Sequence, residues 1–164
     1  MDVFASFPQE FPVSSRPGAG TYNLMPGYYA IHEQQPGPAG RDAVHLFNEG
    51  AIAVFQGSPD QAKLAGAPEK LSPVYALVPG GSPAVPTGLI FIRLADGIPV
   101  SKLQEEIKDA GYEVAESLAY APNAAWLRAR SGTIEKALAG LKVLGNLPQV
   151  ESVEPQMLME SARR

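Results

Sequence analysis

Cysteine is absent from all 164 residues, which excludes disulfides, thiolate metal sites and a cysteine nucleophile. An uninterrupted apolar run of about 18 residues, the minimum for a membrane-spanning helix, is also missing. Basic residues are sparse: 13 Lys and Arg against 17 Asp and Glu leave a net charge of −4, and the sole basic cluster is Arg163-Arg164. A nucleic-acid partner is therefore not expected, nor a membrane one. Histidine occurs only at positions 32 and 45, and tryptophan only at 126. The opening residues, MDVFASFPQEFPV, lack the basic and apolar regions of a secretory leader. A chain beginning after a removed leader would look the same. The expected location is thus secreted or periplasmic in that case and cytoplasmic otherwise.

What is present fits a folded chain. Hydrophobic residues make up 45% and charged residues 18%, a balance that allows a buried core and argues against general disorder. The length suits one domain, or one domain with a smaller appendage. Proline and glycine divide the chain in two. Twelve of the 16 prolines and ten of the 16 glycines fall in residues 1–86, so this half reads as turn-rich and short-stranded.

Residues 1–20, with Pro8, Pro12, Pro17, Gly18 and Gly20, read as a flexible arm. Residues 21–85 read as a small β-rich subdomain. Gly27–Glu33 is its first strand, and Ala43–Phe47 and Ala51–Phe55 form a hairpin around Asn48-Glu49-Gly50. A short helix over Gln61–Leu64 is capped by Ser58, and Val74–Val78 is another strand. The segment PGGSPAVPTG, residues 79–88, has the composition of a linker, and the boundary is placed near Val85.

The later half carries longer patterns. Leu89–Leu94 (LIFIRL) is nearly all apolar, as a central strand would be. Val100, Leu103, Ile107 and Ala110 share one helical face, and Gly111 ends that helix. Val114–Tyr120 and Ala124–Arg130 read as strands. A helix starting after Ser131-Gly132-Thr133 carries Ile134, Ala137, Leu138 and Leu141 on one face, and Gln149–Glu154 closes with a strand. Strand, helix, strand, strand, helix, strand predicts an α+β, ferredoxin-like βαββαβ domain over residues 86–157, a four-stranded antiparallel sheet with both helices on one face. An extended tail follows over 158–164. The sheet face away from the helices, bearing Trp126, Arg128 and Tyr120 or Tyr112, is expected to lack a cover and to meet a partner.

No catalytic constellation is legible. Gly140–Gly145 has phosphate-loop spacing, but Asn146 stands where lysine is required and the stretch lies in a helix. Gly18-Ala19-Gly20 lacks a third glycine. His32 and His45 read as structural, and Glu105-Glu106 as a solvated helix face, since adjacent helical positions diverge. Trp126 with Arg128 and Arg130 is too little for an RNA-binding sheet. Nothing joins nucleophile, base and oxyanion donor, so neither enzyme activity, metal nor cofactor is expected.

Four stretches carry a family likeness: GLIFIRLADG (88–97), VSKLQEEIKDAGYEV (100–114), APNAAWLRAR (121–130) and NLPQVESVEPQ (146–156). In this order they resemble the propeptide and inhibitor domain of subtilisin-like serine proteases. The most specific part is the Pro-x-Val-x-x-Val-Glu run, here Pro148 to Glu154. The resemblance implies an intramolecular chaperone and inhibitor bound to a subtilisin-like catalytic domain, in cis or in trans. The free sheet face (Trp126, Arg128, Tyr120) would lie against the enzyme. The segment from Pro155 onward, above all Met159, Glu160, Ser161, Ala162, Arg163 and Arg164, would occupy its cleft like a cleaved product. The protease's own motifs are missing, so the chain is not the protease. Other readings are a small-molecule regulatory module of the ACT type, with a ligand loop near Asp96-Gly97, and a plain scaffold domain.

Overall fold

The structure, a computed structural model, describes residues 4, 7–16, 18, 20–32, 45–47, 52–57, 71–77 and 82–159. The chain divides into two compact units. The first comprises Met1–Ala5, Tyr22–Pro86 and Met157–Arg164, and the second Ser6–Thr21 and Thr87–Gln156.

Strands dominate. In chain order they are β1 (Glu10–Pro12), β2 (Thr21–His32), β3 (His45–Phe47), β4 (Ile52–Gln56), β5 (Leu71–Ala76), β6 (Ala84–Leu94), β7 (Tyr112–Ser117), β8 (Ala124–Ala129) and β9 (Val150–Met159). A 3-10 turn over Val100–Leu103 leads into α1 (Gln104–Asp109); α2 (Ile134–Ala139) and α3 (Leu141–Gly145) follow β8. Backbone hydrogen bonds join the strands in the order β3-β4-β2-β5-β6-β8-β7, with β1 beside β2 and β9 beside β6.

The first unit is built on β2. It pairs antiparallel with β4 through Tyr29↔Phe55 and Ala30↔Val54, and with β5 through Ala30↔Ser72 and Ile31↔Leu71. β3 and β4 form the expected antiparallel pair, Leu46 opposite Ala53. Successive side chains alternate between two faces. Ala30, Ile52, Val54, Val74 and Val85 form one apolar cluster, and Tyr29, Ile31, Ala53, Phe55 and Leu71 another. Because both faces are covered, Ile52–Phe55 of β4 and all of β5 are continuously buried rather than alternating. Tyr29 and Phe55 stack at 5.3 Å between ring centroids, a contact of about 0.5–1.5 kcal/mol beyond its buried area. Strand β2 starts six residues before the expected Gly27. It passes Pro26 and Gly27 by an irregularity between Leu24 and Tyr29, where Gly27 takes a φ of +86°. A bulge is where a strand tolerates a proline that cannot donate and a residue of positive φ.

In the second unit β6 and β8 are antiparallel neighbours, with Ile90↔Leu127, Phe91↔Trp126 and Ile92↔Ala125 in register. β8 pairs onward with β7 through Tyr112↔Ala129 and Glu113↔Arg128. On β6, Ile90, Ile92 and Leu94 are fully buried, while Leu89, Phe91 and Arg93 between them are half-buried. The helical segments bury Val100, Leu103, Ile107, Ala137, Leu138, Leu141 and Leu144, which continues the spacing expected from the sequence. α1 lies against β7 and α2 against β8. Thr133 caps α2 by accepting from the Lys136 N–H. β9 is tied to β6 where Thr87 Oγ1 donates to Gln156 Oε1 at 2.8 Å.

The ferredoxin-like expectation is corrected by this topology. The sheet does not end at four strands: β6 begins at Ala84, inside the supposed linker, and there pairs with β5 through Tyr75↔Ala84. Ala84 and Val85 have no exposed surface, so burial, not proline content, decides that stretch. Among the described residues nine strands belong to the sheet, against three α-helices of five or six residues. The second predicted helix is interrupted at Gly140. Residues 10–16, taken as flexible, hold Phe11 buried and dock Ser15 on β9: its N–H donates to the Val153 carbonyl (3.0 Å) and its Oγ accepts from the Val153 N–H (2.9 Å). The last strand continues to Met159 rather than stopping at Glu154. The predicted helix over Gln61–Leu64 and the turn at Asn48–Gly50 lie outside the described residues.

Candidate functional site: the outward face of β6, β8 and β7

Alternation along β6 and β8 sends Ile90, Ile92, Ala125 and Leu127 inward, and Phe91, Arg93, Trp126 and Arg128 to the opposite side. The antiparallel register sets Phe91 directly opposite Trp126. Their rings meet edge to face, 5.1 Å apart at 64°. The Arg93 guanidinium carbon stands 5.7 Å from the centre of the Phe91 ring, within cation–π range. Next along β8, Arg128 Nε donates to Glu113 Oε2 at 2.6 Å, joining residues that are cross-strand partners. Both side chains are about half exposed, so the pair contributes roughly 0–1 kcal/mol and serves mainly to fix the direction of two charges. Glu116 lies opposite Trp126 on the other side.

The result is a half-buried aromatic pair bordered by Arg93, Arg128, Glu113 and Glu116. Two charges of each sign make it unlike the basic surface that tracks a phosphate backbone. Aromatic and arginine side chains with a mixed polar rim have the composition of a protein-binding surface.

The other residues singled out from the sequence fall elsewhere. Tyr120 is 86% exposed but lies in the β7–β8 connection, where Ala121 N–H bonds the Leu118 carbonyl and Ala124 N–H the Ala121 carbonyl. Tyr112 is only 1% exposed and turns inward, its hydroxyl donating to the Ala137 carbonyl of α2. Burial pushes its phenol up to about 12. Met159 is part of β9, 41% exposed, and its sulfur accepts a hydrogen bond from the Tyr22 hydroxyl at 3.7 Å. Leu158 beside it packs on the Ala30–Val54–Val74 cluster. Glu160, Ser161, Ala162, Arg163 and Arg164 lie outside the described residues.

His32 places Nε2 at 2.8 Å from Ser72 Oγ, while the Ser72 hydroxyl donates to the Pro73 carbonyl. The imidazole is therefore the donor to serine, and burial holds it neutral with a pKa lowered to about 4. Ser72 is fully buried, so this pair locks β2 to β5 and offers no nucleophile. His45 sits on β3 opposite Val54. Among the described residues no group of three His, Cys, Asp or Glu side chains is placed to hold a metal, and no helix is long and apolar enough to cross a membrane. Near Asp96-Gly97 there is a cavity of about 280 Å³ that also touches Pro99, Pro122 and Asn123. Asn123 Nδ2 is engaged there with the Leu94 carbonyl at 2.9 Å.

Phe91 and Arg93 were absent from the residues expected at the site. LIFIRL reads as one apolar block, yet period-two alternation already separates Phe91 and Arg93 from Ile90, Ile92 and Leu94. No family model, no curated protein and no solved structure matches the chain.

Proposed function

We propose that the chain is a non-catalytic protein-binding module that chaperones and inhibits a subtilisin-like serine protease, in cis or in trans, in the manner of a propeptide. The observation that carries this reading is the half-exposed Phe91–Trp126 pair with Arg93, Arg128 and Glu113 around it. Such a face supplies the aromatic anchors of an interface of about 800 Å² per partner. The sequence stretches that resemble the family supply the identity of the partner. Topology does not contribute, because the sheet is larger than the four-stranded one first expected.

The cleft-occupying segment starts later than the sequence alone implied. Met157–Met159 are held in β9, so the product-like part is Glu160–Arg164. A paired arginine end would favour an enzyme whose specificity pocket is acidic. The test is steady-state inhibition of a subtilisin-like protease by the full chain and by a chain ending at Met159. The shortened chain is expected to inhibit at least tenfold less well, about 1.4 kcal/mol. Equal inhibition by both would remove the tail from the mechanism.

The second reading, a small-molecule regulatory module, has the cavity beside Asp96-Gly97 in its favour. Amino acids that raise the melting temperature of the chain would support it, and a flat response together with protease inhibition would dismiss it.

A further inference from the structure

A second cleft in the same unit lies between residues 12–16 and α3. It encloses about 350 Å³, within the range of roughly 300–1,000 Å³ typical of small-molecule sites. Pro12, Leu141 and Val153 give it an apolar lining. Arg16 comes from one wall and Lys142 from the other, and no carboxylate is among the lining residues.

The polar groups around it favour an anion. Ser14 Oγ accepts from the Arg16 N–H (3.2 Å) and Ser15 Oγ from the Val153 N–H (2.9 Å), so each hydroxyl proton is left to donate. The α3 carbonyls that would repel an anion are already occupied: those of Lys142 and Val143 accept from Asn146 N–H and that of Leu144 from Leu147 N–H. Arg16 pairs with Glu151 at 3.3 Å, with both side chains about half exposed. An exposed pair of this kind is weak and can exchange partners. A bare inorganic anion would leave the apolar lining against water, and a neutral apolar molecule would gain nothing from Arg16 or Lys142.

We infer that this cleft binds a monocarboxylate with a short apolar body, its carboxylate between Arg16 and Lys142 and its chain over Leu141 and Val153. The site is separate from the face assigned to the protease and stands without it.

Octanoate is the probe, titrated into the full chain and followed by calorimetry, with octanol and inorganic phosphate as controls. Saturable binding of octanoate is expected, with octanol and phosphate each at least tenfold weaker. Arg16→Ala and Lys142→Ala should each weaken octanoate at least fivefold, whereas Glu151→Gln, by releasing Arg16, should tighten it two- to fivefold. Lys102→Ala, on the 3-10 turn and not among the lining residues, should change nothing. Absence of saturation overturns the inference. Equal binding of octanol or of phosphate, or indifference to both Arg16→Ala and Lys142→Ala, does so as well.

Discussion

Replacing Gly140 by alanine probes how the second unit is packed. Gly140 joins α2 to α3 with φ −96° and ψ 8°, a conformation open to any L-residue. Backbone freedom is therefore not why glycine stands there. Space is: a Cβ at this position would lie 2.6 Å from the Tyr112 hydroxyl oxygen, 2.9 Å from Cε1 and 3.1 Å from Cζ. Tyr112 is held in place, being buried and hydrogen-bonded to the Ala137 carbonyl. Helix propensity alone would make the alanine variant more stable by up to about 1 kcal/mol. Overpacking costs about 1–3 kcal/mol, and displacing a buried hydroxyl from its acceptor about 1–3 kcal/mol more. Gly140→Ala should therefore destabilise the unit by about 1–5 kcal/mol net. Urea unfolding followed by the fluorescence of Trp126, the only tryptophan, reads this unit directly. Tyr112→Phe removes the closest atom, so the double variant should lose clearly less than the sum of the two single ones. A Gly140→Ala variant as stable as the parent, or more so, would refute the close approach of Tyr112.

Three further outcomes follow from other contacts. His32 is neutral when folded, with its pKa lowered to about 4, so its contribution is fully present above about pH 6.5 and is lost as the pH falls toward 4, where only the unfolded state gains the proton. The loss amounts to up to about 3 kcal/mol, reduced by its partial exposure, and His32→Gln should flatten that part of the stability–pH curve. Removing residues 157–164 deletes Leu158 from its cluster and the Met159–Tyr22 contact, and should lower stability by about 2 kcal/mol or more, read as a fall in melting temperature. Glu113→Gln should cost less than about 1 kcal/mol in stability, because the Arg128 pair is half exposed.

Local periodicity was the most legible part of the chain. Val100, Leu103 and Ile107, and Ala137, Leu138 and Leu141, carry helix spacing and are buried as that spacing requires. The hairpin partners of β3 and β4 were likewise visible as short β-branched and aromatic runs. Pro26 and Gly27 misled, since a bulge lets a strand pass residues that ordinarily end one. Ala84-Val85-Pro86 misled for a related reason: composition assigned a linker to residues that nonlocal pairing with Tyr75 buries. Strand partners are a nonlocal property, so the extent of the sheet was not readable from any single window. At the candidate face Trp126 and Arg128 were legible by rarity and alternation. The same alternation separates Phe91 from Ile90 and Ile92, but only the β6–β8 register sets it opposite Trp126.

The most direct test of the central claim is to measure inhibition of a subtilisin-like protease by the parent chain and by Trp126→Ala, with melting temperatures taken on the same samples. The account predicts that the parent inhibits, that the variant inhibits at least tenfold less well, and that the two melt within a few degrees of each other. A parent chain that does not inhibit, or a variant that melts far lower while inhibiting equally, would contradict it.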